Sequence, residues 1–68
     1  MEKGWEKIFT TAQPYRAEVA RQVLEEAGIQ AVVINKKDSS YLVFGEAEVY
    51  VKQDDVIRAK QLIKTMEP

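Results

Sequence analysis

Few side chains in this 68-residue sequence are suited to catalysis, because it contains no histidine and no cysteine. A serine or cysteine nucleophile activated by histidine is therefore excluded, and so are disulfides and the commonest zinc ligands. The remaining acid–base candidates are neighbouring carboxylates, which occur as the pairs Glu25/Glu26, Glu46/Glu48 and Asp54/Asp55.

Each of these carboxylate pairs has a structural explanation that we prefer to catalysis. The first pair lies on a predicted helix, where successive side chains diverge by about 100°. Glu46 and Glu48 share one face of a predicted strand, and we expect them to be solvated on the open side of a sheet. Asp54 and Asp55 precede a predicted helix and suit its positive N-terminal end. Asp38 has too few oxygen neighbours for a metal ion. We therefore predict no enzymatic activity, no metal site and no cofactor.

A small anionic ligand has one candidate site, at the start of the first predicted helix. The stretch TTAQPYR provides Thr11, Gln13 and Arg16 there, and helix N-termini attract anions. The stretch lacks the glycines of a phosphate-binding loop, and Pro14 removes one backbone donor. A small-molecule or anion sensor that binds at these residues is our alternative function.

The run Tyr-Leu-Val-Phe at residues 41–44 is the main candidate for contact with another protein. Side chains alternate along an extended chain, so all four cannot face the core. The segment either folds back to cap the end of its own core or contacts a second chain. If it contacts a second chain, the partner-binding residues are Tyr41, Leu42, Phe44 and Tyr50.

The periodicity of apolar residues predicts five elements in the order strand, helix, strand, strand, helix. Aromatic and β-branched residues mark the first strand, and a three- and four-residue apolar repeat marks each helix. Pro14 suits the first position of the first helix and Gly28 suits its left-handed closing position. The predicted strands are Trp5–Ala12, Ile29–Asn35 and residues 46–52, with Ala47, Val49 and Val51 facing the helices.

This order predicts a single α+β domain over residues 1–68. The first helix is long enough for a crossover, so strands one and two should lie parallel with strand three between them. The result is a two-layer ferredoxin-like sandwich of β-α-β-β-α order, with a three-stranded sheet in the order 1-3-2 covered on one face by two helices. Strand one then has a free edge. Either the charges of Glu6 and Lys7 prevent this edge from pairing with another strand, or a homodimer forms through it.

Composition narrows the range of partners. The net charge is −1, from 10 basic and 11 acidic residues, which provides no field that would attract nucleic acid. No segment approaches the roughly 20 apolar residues that span a bilayer. The charged N-terminus lacks the apolar core of a signal peptide. We therefore expect a cytoplasmic protein that binds neither nucleic acid nor membrane.

The order and spacing of these elements resemble a small bacterial family of unknown function, the putative prokaryotic signal transducing proteins. The resemblance covers about residues 5–66 and rests on an alanine-rich helix that ends in Gly-Ile, a later Val-x-Val, two acids and a helix with a central alanine. These positions are Ala17, Ala20, Leu24, Gly28, Ile29, Ala31, Val49, Val51, Asp54, Asp55 and Ala59.

This resemblance implies a ferredoxin-like or nitrogen-regulator-like fold and a signalling role, and it supplies no catalytic residues. Together with the apolar segment at residues 41–44, it leads us to predict a non-enzymatic binding or regulatory module. Such a module would act through protein–protein contacts with a partner or with a second copy of itself.

Overall fold

The computed structural model describes residues 4–36 and 46–66, and within them the predicted order of elements is confirmed. A short 3₁₀ turn, Gln53–Asp55, precedes the second helix. The strands and helices are β1 (Trp5–Thr11), α1 (Pro14–Glu26), β2 (Ala31–Lys36), β3 (Glu46–Lys52) and α2 (Val56–Met66). Neither helix is long and apolar enough to cross a membrane.

The three strands form one sheet in the order β1-β3-β2, as the sequence predicts. Both outer strands are antiparallel to β3 and therefore run parallel to each other. The pairing of β2 with β3 is regular along its whole length. The pairing of β1 with β3 shifts between Lys7 and Phe9, so Ile8 is the extra residue of a β-bulge.

Both helices pack on one face of the sheet and bury the side chains of β3 that point toward them. Alanines at the contact allow the backbones to approach closely, and larger aliphatic residues fill the space between them. The buried apolar residues are Ala17, Ala20, Leu24, Ile29, Ala31, Ala47, Val49, Val51, Ala59 and Ile63. This set includes Ala47, Val49 and Val51, the three residues of β3 that the sequence places on the helix side.

Helix α1 ends in a Schellman motif centred on Gly28. The Ile29 amide donates to the Leu24 carbonyl at 2.9 Å, and the Gly28 amide donates to the Glu25 carbonyl at 3.0 Å. Gly28 has φ 83°, a left-handed conformation that favours glycine. Ile29 is buried and packs beneath the motif. Because this closure uses Ile29, strand β2 begins at Ala31 rather than at the predicted Ile29.

The acids before α2 lie in the 3₁₀ turn rather than directly at the start of the helix. Asp54 and Asp55 both belong to that turn, and its N-cap residue, Lys52, makes no side-chain capping hydrogen bond. The Gln53 amide instead donates to the Gly4 carbonyl at 2.7 Å, which ties the start of β1 to the end of β3. The negative charges still precede the N-terminus of α2, where the helix dipole favours them.

We predict that Gly28→Ala lowers the free energy of unfolding by about 1 kcal/mol, because alanine disfavours the left-handed conformation. A Cβ at this position would meet no atom within 4 Å, so the loss comes from the backbone alone. Asparagine tolerates this conformation better, so Gly28→Asn should lose less stability. Urea unfolding measures all three proteins, and equal stability of the alanine variant and the wild type would contradict the prediction.

We also predict that Ala20→Leu destabilises the protein by about 1–3 kcal/mol, because Ala20 is fully buried against the sheet and leaves no room for a larger side chain. Val19→Leu on the same helix is the control. Val19 is 44% exposed, and its enlargement should change the free energy of unfolding by less than about 0.5 kcal/mol. Chemical denaturation of both variants tests the pair, and similar losses in the two would contradict close packing at Ala20.

Candidate functional site

The face of the sheet that points away from both helices is the candidate site, and we call it the open face. Directly opposed residues of neighbouring strands project to the same side. Val49 and Val51 are buried under the helices, so the residues that alternate with them on β3 project the other way. The strand registers then assign to the open face Trp5, Lys7 and Thr10 of β1, Val32 and Ile34 of β2, and Glu48, Tyr50 and Lys52 of β3.

An ion pair between the buried Glu48 and the half-exposed Lys7 lies at the centre of the open face. Glu48 is only 3% exposed. Its Oε2 lies 3.3 Å from Nζ of Lys7, and its Oε1 accepts a hydrogen bond of 2.9 Å from the Tyr50 hydroxyl. A carboxylate taken out of water is tolerated only when it is paired and hydrogen-bonded. The prediction that Glu48 is solvated is therefore wrong, because side chains from β1 and β3 satisfy its charge within the sheet.

Apolar and aromatic side chains surround this ion pair. Val32 and Ile34 are half-buried on the β2 side. Trp5 is half-buried on the β1 side, and Nζ of Lys52 lies 5.9 Å from the centre of its ring, within the range of a cation–π contact. The open face therefore combines a fixed polar centre with hydrophobic flanks.

One of the predicted partner-binding residues, Tyr50, belongs to the open face. It is half-buried, and its hydroxyl points toward the Glu48 carboxylate. The other three, Tyr41, Leu42 and Phe44, lie outside the described residues. The sequence did not reveal the pairing of Lys7 with Glu48, because the two residues are 41 positions apart in the chain. The sequence contained one indication of such a pairing, which is the charged Glu48 in the middle of the predicted central strand.

The predicted ligand-binding residues lie around the turn between β1 and α1: Thr11 ends β1, Gln13 precedes α1 and Arg16 is in its first turn. Local hydrogen bonds use two of the three side chains. The Thr11 hydroxyl oxygen accepts from the Gln13 amide at 3.1 Å, and the Gln13 side-chain oxygen accepts from the Tyr15 hydroxyl at 3.2 Å. Arg16 is exposed, and its amide donates to the Gln13 carbonyl. The three residues thus lie close together in the chain, and Arg16 is the one of them with a positively charged side chain.

A shallow cleft of about 330 Å³ lies between the end of α1 and the outer side of α2. Its lining residues are Ala27, Arg58, Gln61, Leu62 and Thr65. Arg58 donates to the Ala27 carbonyl at 3.1 Å, and the Thr65 hydroxyl donates to the Leu62 carbonyl at 2.7 Å. These bonds stabilise helix ends. The carbonyl end of α1 also disfavours an anion near Arg58.

A second set of ion pairs lies on the surface of α1. Arg21 bonds to Glu18 at 2.8 Å and to Glu25 at 2.9 Å. The hydrogen bond and charge of Glu18 chiefly raise the pKa of Arg21, and Glu25 adds to this effect. In the part of the chain that the structure describes, no group of three His, Cys, Asp or Glu side chains is placed to hold a metal ion.

We predict that Tyr50→Phe lowers the free energy of unfolding by about 1–2 kcal/mol, because it removes a hydrogen bond to a buried charged acceptor. Tyr15→Phe is the matched control. Its hydroxyl donates to the neutral, exposed Gln13 side chain, so the loss should stay below about 0.5 kcal/mol. Urea unfolding of both variants measures the difference, and equal losses would show that the Tyr50 hydroxyl does not support Glu48.

Comparison with known proteins agrees with the resemblance noted in the sequence. No curated protein and no solved structure matches the chain. A family model does match, and it extends over residues 5–67, from the first residue of β1 to just past the end of α2. The description of that family refers to signal transduction and to no enzymatic reaction. The chain belongs to the family of putative prokaryotic signal transducing proteins.

Proposed function

We propose that this protein is a non-enzymatic regulatory module that binds a protein partner on the open face of its sheet. The observation that carries the proposal is the composition of that face, where Trp5, Tyr50 and aliphatic side chains surround the ion-paired Glu48. Tryptophan and tyrosine are enriched among the residues that dominate binding energy at protein interfaces. The membership of a signal-transducing family supports the same proposal.

The distribution of polar and apolar side chains over the open face suits the binding of a protein better than the binding of a small molecule. The centre has its charges already paired, so a partner need not supply a counter-charge for Glu48. The exposed side chains of Thr10 and Lys52 lie on the same face and are available for polar contacts at its rim. An interface of this kind has an ion-paired, pre-ordered centre, apolar flanks and water-accessible edges.

We extend the proposal, on the grounds of sequence alone, to the segment that joins β2 to β3. Its residues Tyr41, Leu42 and Phe44 are proposed partner contacts beside Tyr50. The sequence supports this role, because side chains alternate along an extended chain and four consecutive apolar residues would then not all face the core of their own chain. We further propose that the protein acts in the cytoplasm, which the absence of cysteine fits.

A small-molecule sensor at the start of α1 remains the alternative. Thr11 and Gln13 already accept hydrogen bonds within their own turn, so only Arg16 is left to hold an anion firmly. A single exposed guanidinium provides weak selectivity between anions. These observations favour protein binding over ligand sensing.

The proposal predicts that a photo-crosslinking amino acid at Thr10 captures another protein in the native cell. Thr10 is exposed on the open face, directly opposite Glu48. The same amino acid at Gln22, which is exposed on the outer side of α1, is the control. Mass spectrometry should identify one recurrent adduct from position 10 and none from position 22.

The captured protein is then purified and titrated with the wild type and with Tyr50→Ala. We expect the substitution to weaken binding at least tenfold, since interface tyrosines commonly contribute more than about 1–2 kcal/mol. Two results would contradict the proposal that the partner binds the open face. One is adducts that form equally from position 22, and the other is an affinity that does not change in the Tyr50→Ala variant.

A further inference from the structure

Among the described residues, no strand pairs with the backbone groups on the outer edge of β2. In the described ranges β2 has a single neighbour, β3, on one side. An edge strand exposes alternate N–H and C=O groups, and these pair readily with another extended chain. A strand that ends a sheet in this way needs either protection or a partner.

The other edge of the sheet is protected, and the contrast is informative. Strand β1 carries exposed Glu6 and Lys7 and is interrupted by the bulge at Ile8. Charges and bulges are the features that natural proteins use to prevent edge-to-edge pairing. Strand β2 has no bulge, and its one charge is that of Lys36 at its end, since its register is regular and residues 31–35 carry no charge. The less protected edge is therefore that of β2, not that of strand one.

We propose that β2 pairs antiparallel with β2 of a second copy of this chain, which joins two sheets into one of six strands. When two identical strands pair antiparallel, a two-fold axis relates them, and at this axis one residue lies opposite the same residue of the second copy. An axis at Val33 is central in the strand. It places Val32 of each copy opposite Ile34 of the other on the continuous open face, and Ala31 opposite Asn35 on the helix side.

The occupant is a second copy because β2 is complementary to itself. Val32 and Ile34 are half-buried within one chain, so pairing them across the axis removes further apolar surface from water. No like charges meet at these positions. A chain of 68 residues without disulfides also has little core of its own, and oligomerisation is a common source of additional stability at this size. The proposed partner contact on the open face is not needed for this pairing.

Sedimentation velocity on the full chain tests the proposal with two identical substitutions at different places. Ile34→Lys puts a charge on the edge strand β2. Because of the two-fold symmetry, each dimer then contains two such charges at its interface, one from each copy. Ile57→Lys makes the same change on α2, where Ile57 is 76% exposed. Wild type and Ile57→Lys should dimerise alike, and Ile34→Lys should raise the dissociation constant by roughly 100-fold, about tenfold for each lost isoleucine contact.

Amide hydrogen exchange on the wild type gives a second readout that does not depend on the folding of any variant. Amides of β2 that do not bond to β3 should become protected as concentration rises, whereas the outer amides of β1 should not. A wild type that stays monomeric at millimolar concentration, or a dimer that protects β1 instead, would overturn the proposal. So would protection of β2 that appears only when a different protein is added.

Discussion

The structure depends on one packing constraint, which is that two helices are enough to cover only one face of a three-stranded sheet. Close contact between the two layers requires small side chains, and the fully buried Ala17, Ala20, Ala47 and Ala59 provide them. The larger Leu24 and the valines of β3 then fill the space around those alanines. Because the helix layer lies on one side, every alternate residue of the central strand must be stabilised on the other side without a helix above it.

The open face meets this requirement with polar pairing at its centre and apolar side chains around it. Glu48 is almost as inaccessible as the core valines, yet it is a carboxylate, so Lys7 and Tyr50 are required to compensate its charge. A pre-formed ion pair also orders the side chains that hold it. The same contacts that stabilise the sheet thus shape the surface on which we propose that a partner binds.

The fold could be read from the sequence because its signals are local. The apolar repeat of α1, the closing Gly28 and the alternation of Ala47, Val49 and Val51 each lie within one element, and the order of elements restricts the topology. Apart from the start of β2, which lies two residues later than predicted, the features that the sequence did not reveal are contacts between distant parts of the chain. The burial of Glu48 depends on Lys7 from another strand, and the bulge at Ile8 depends on pairing with β3. No local pattern reports either contact.

A soluble paramagnetic agent in an NMR experiment tests whether one face of the sheet lies outside the helix layer. Such an agent broadens the signals of protons near the surface and leaves enclosed ones sharp. The Trp5 ring and the Thr10 methyl group, both on the open face, should broaden strongly, whereas the methyl groups of Val49 and Val51 should remain sharp. Equal protection of the two sets would mean that both faces of the sheet are covered, and the open face could not serve as a binding surface.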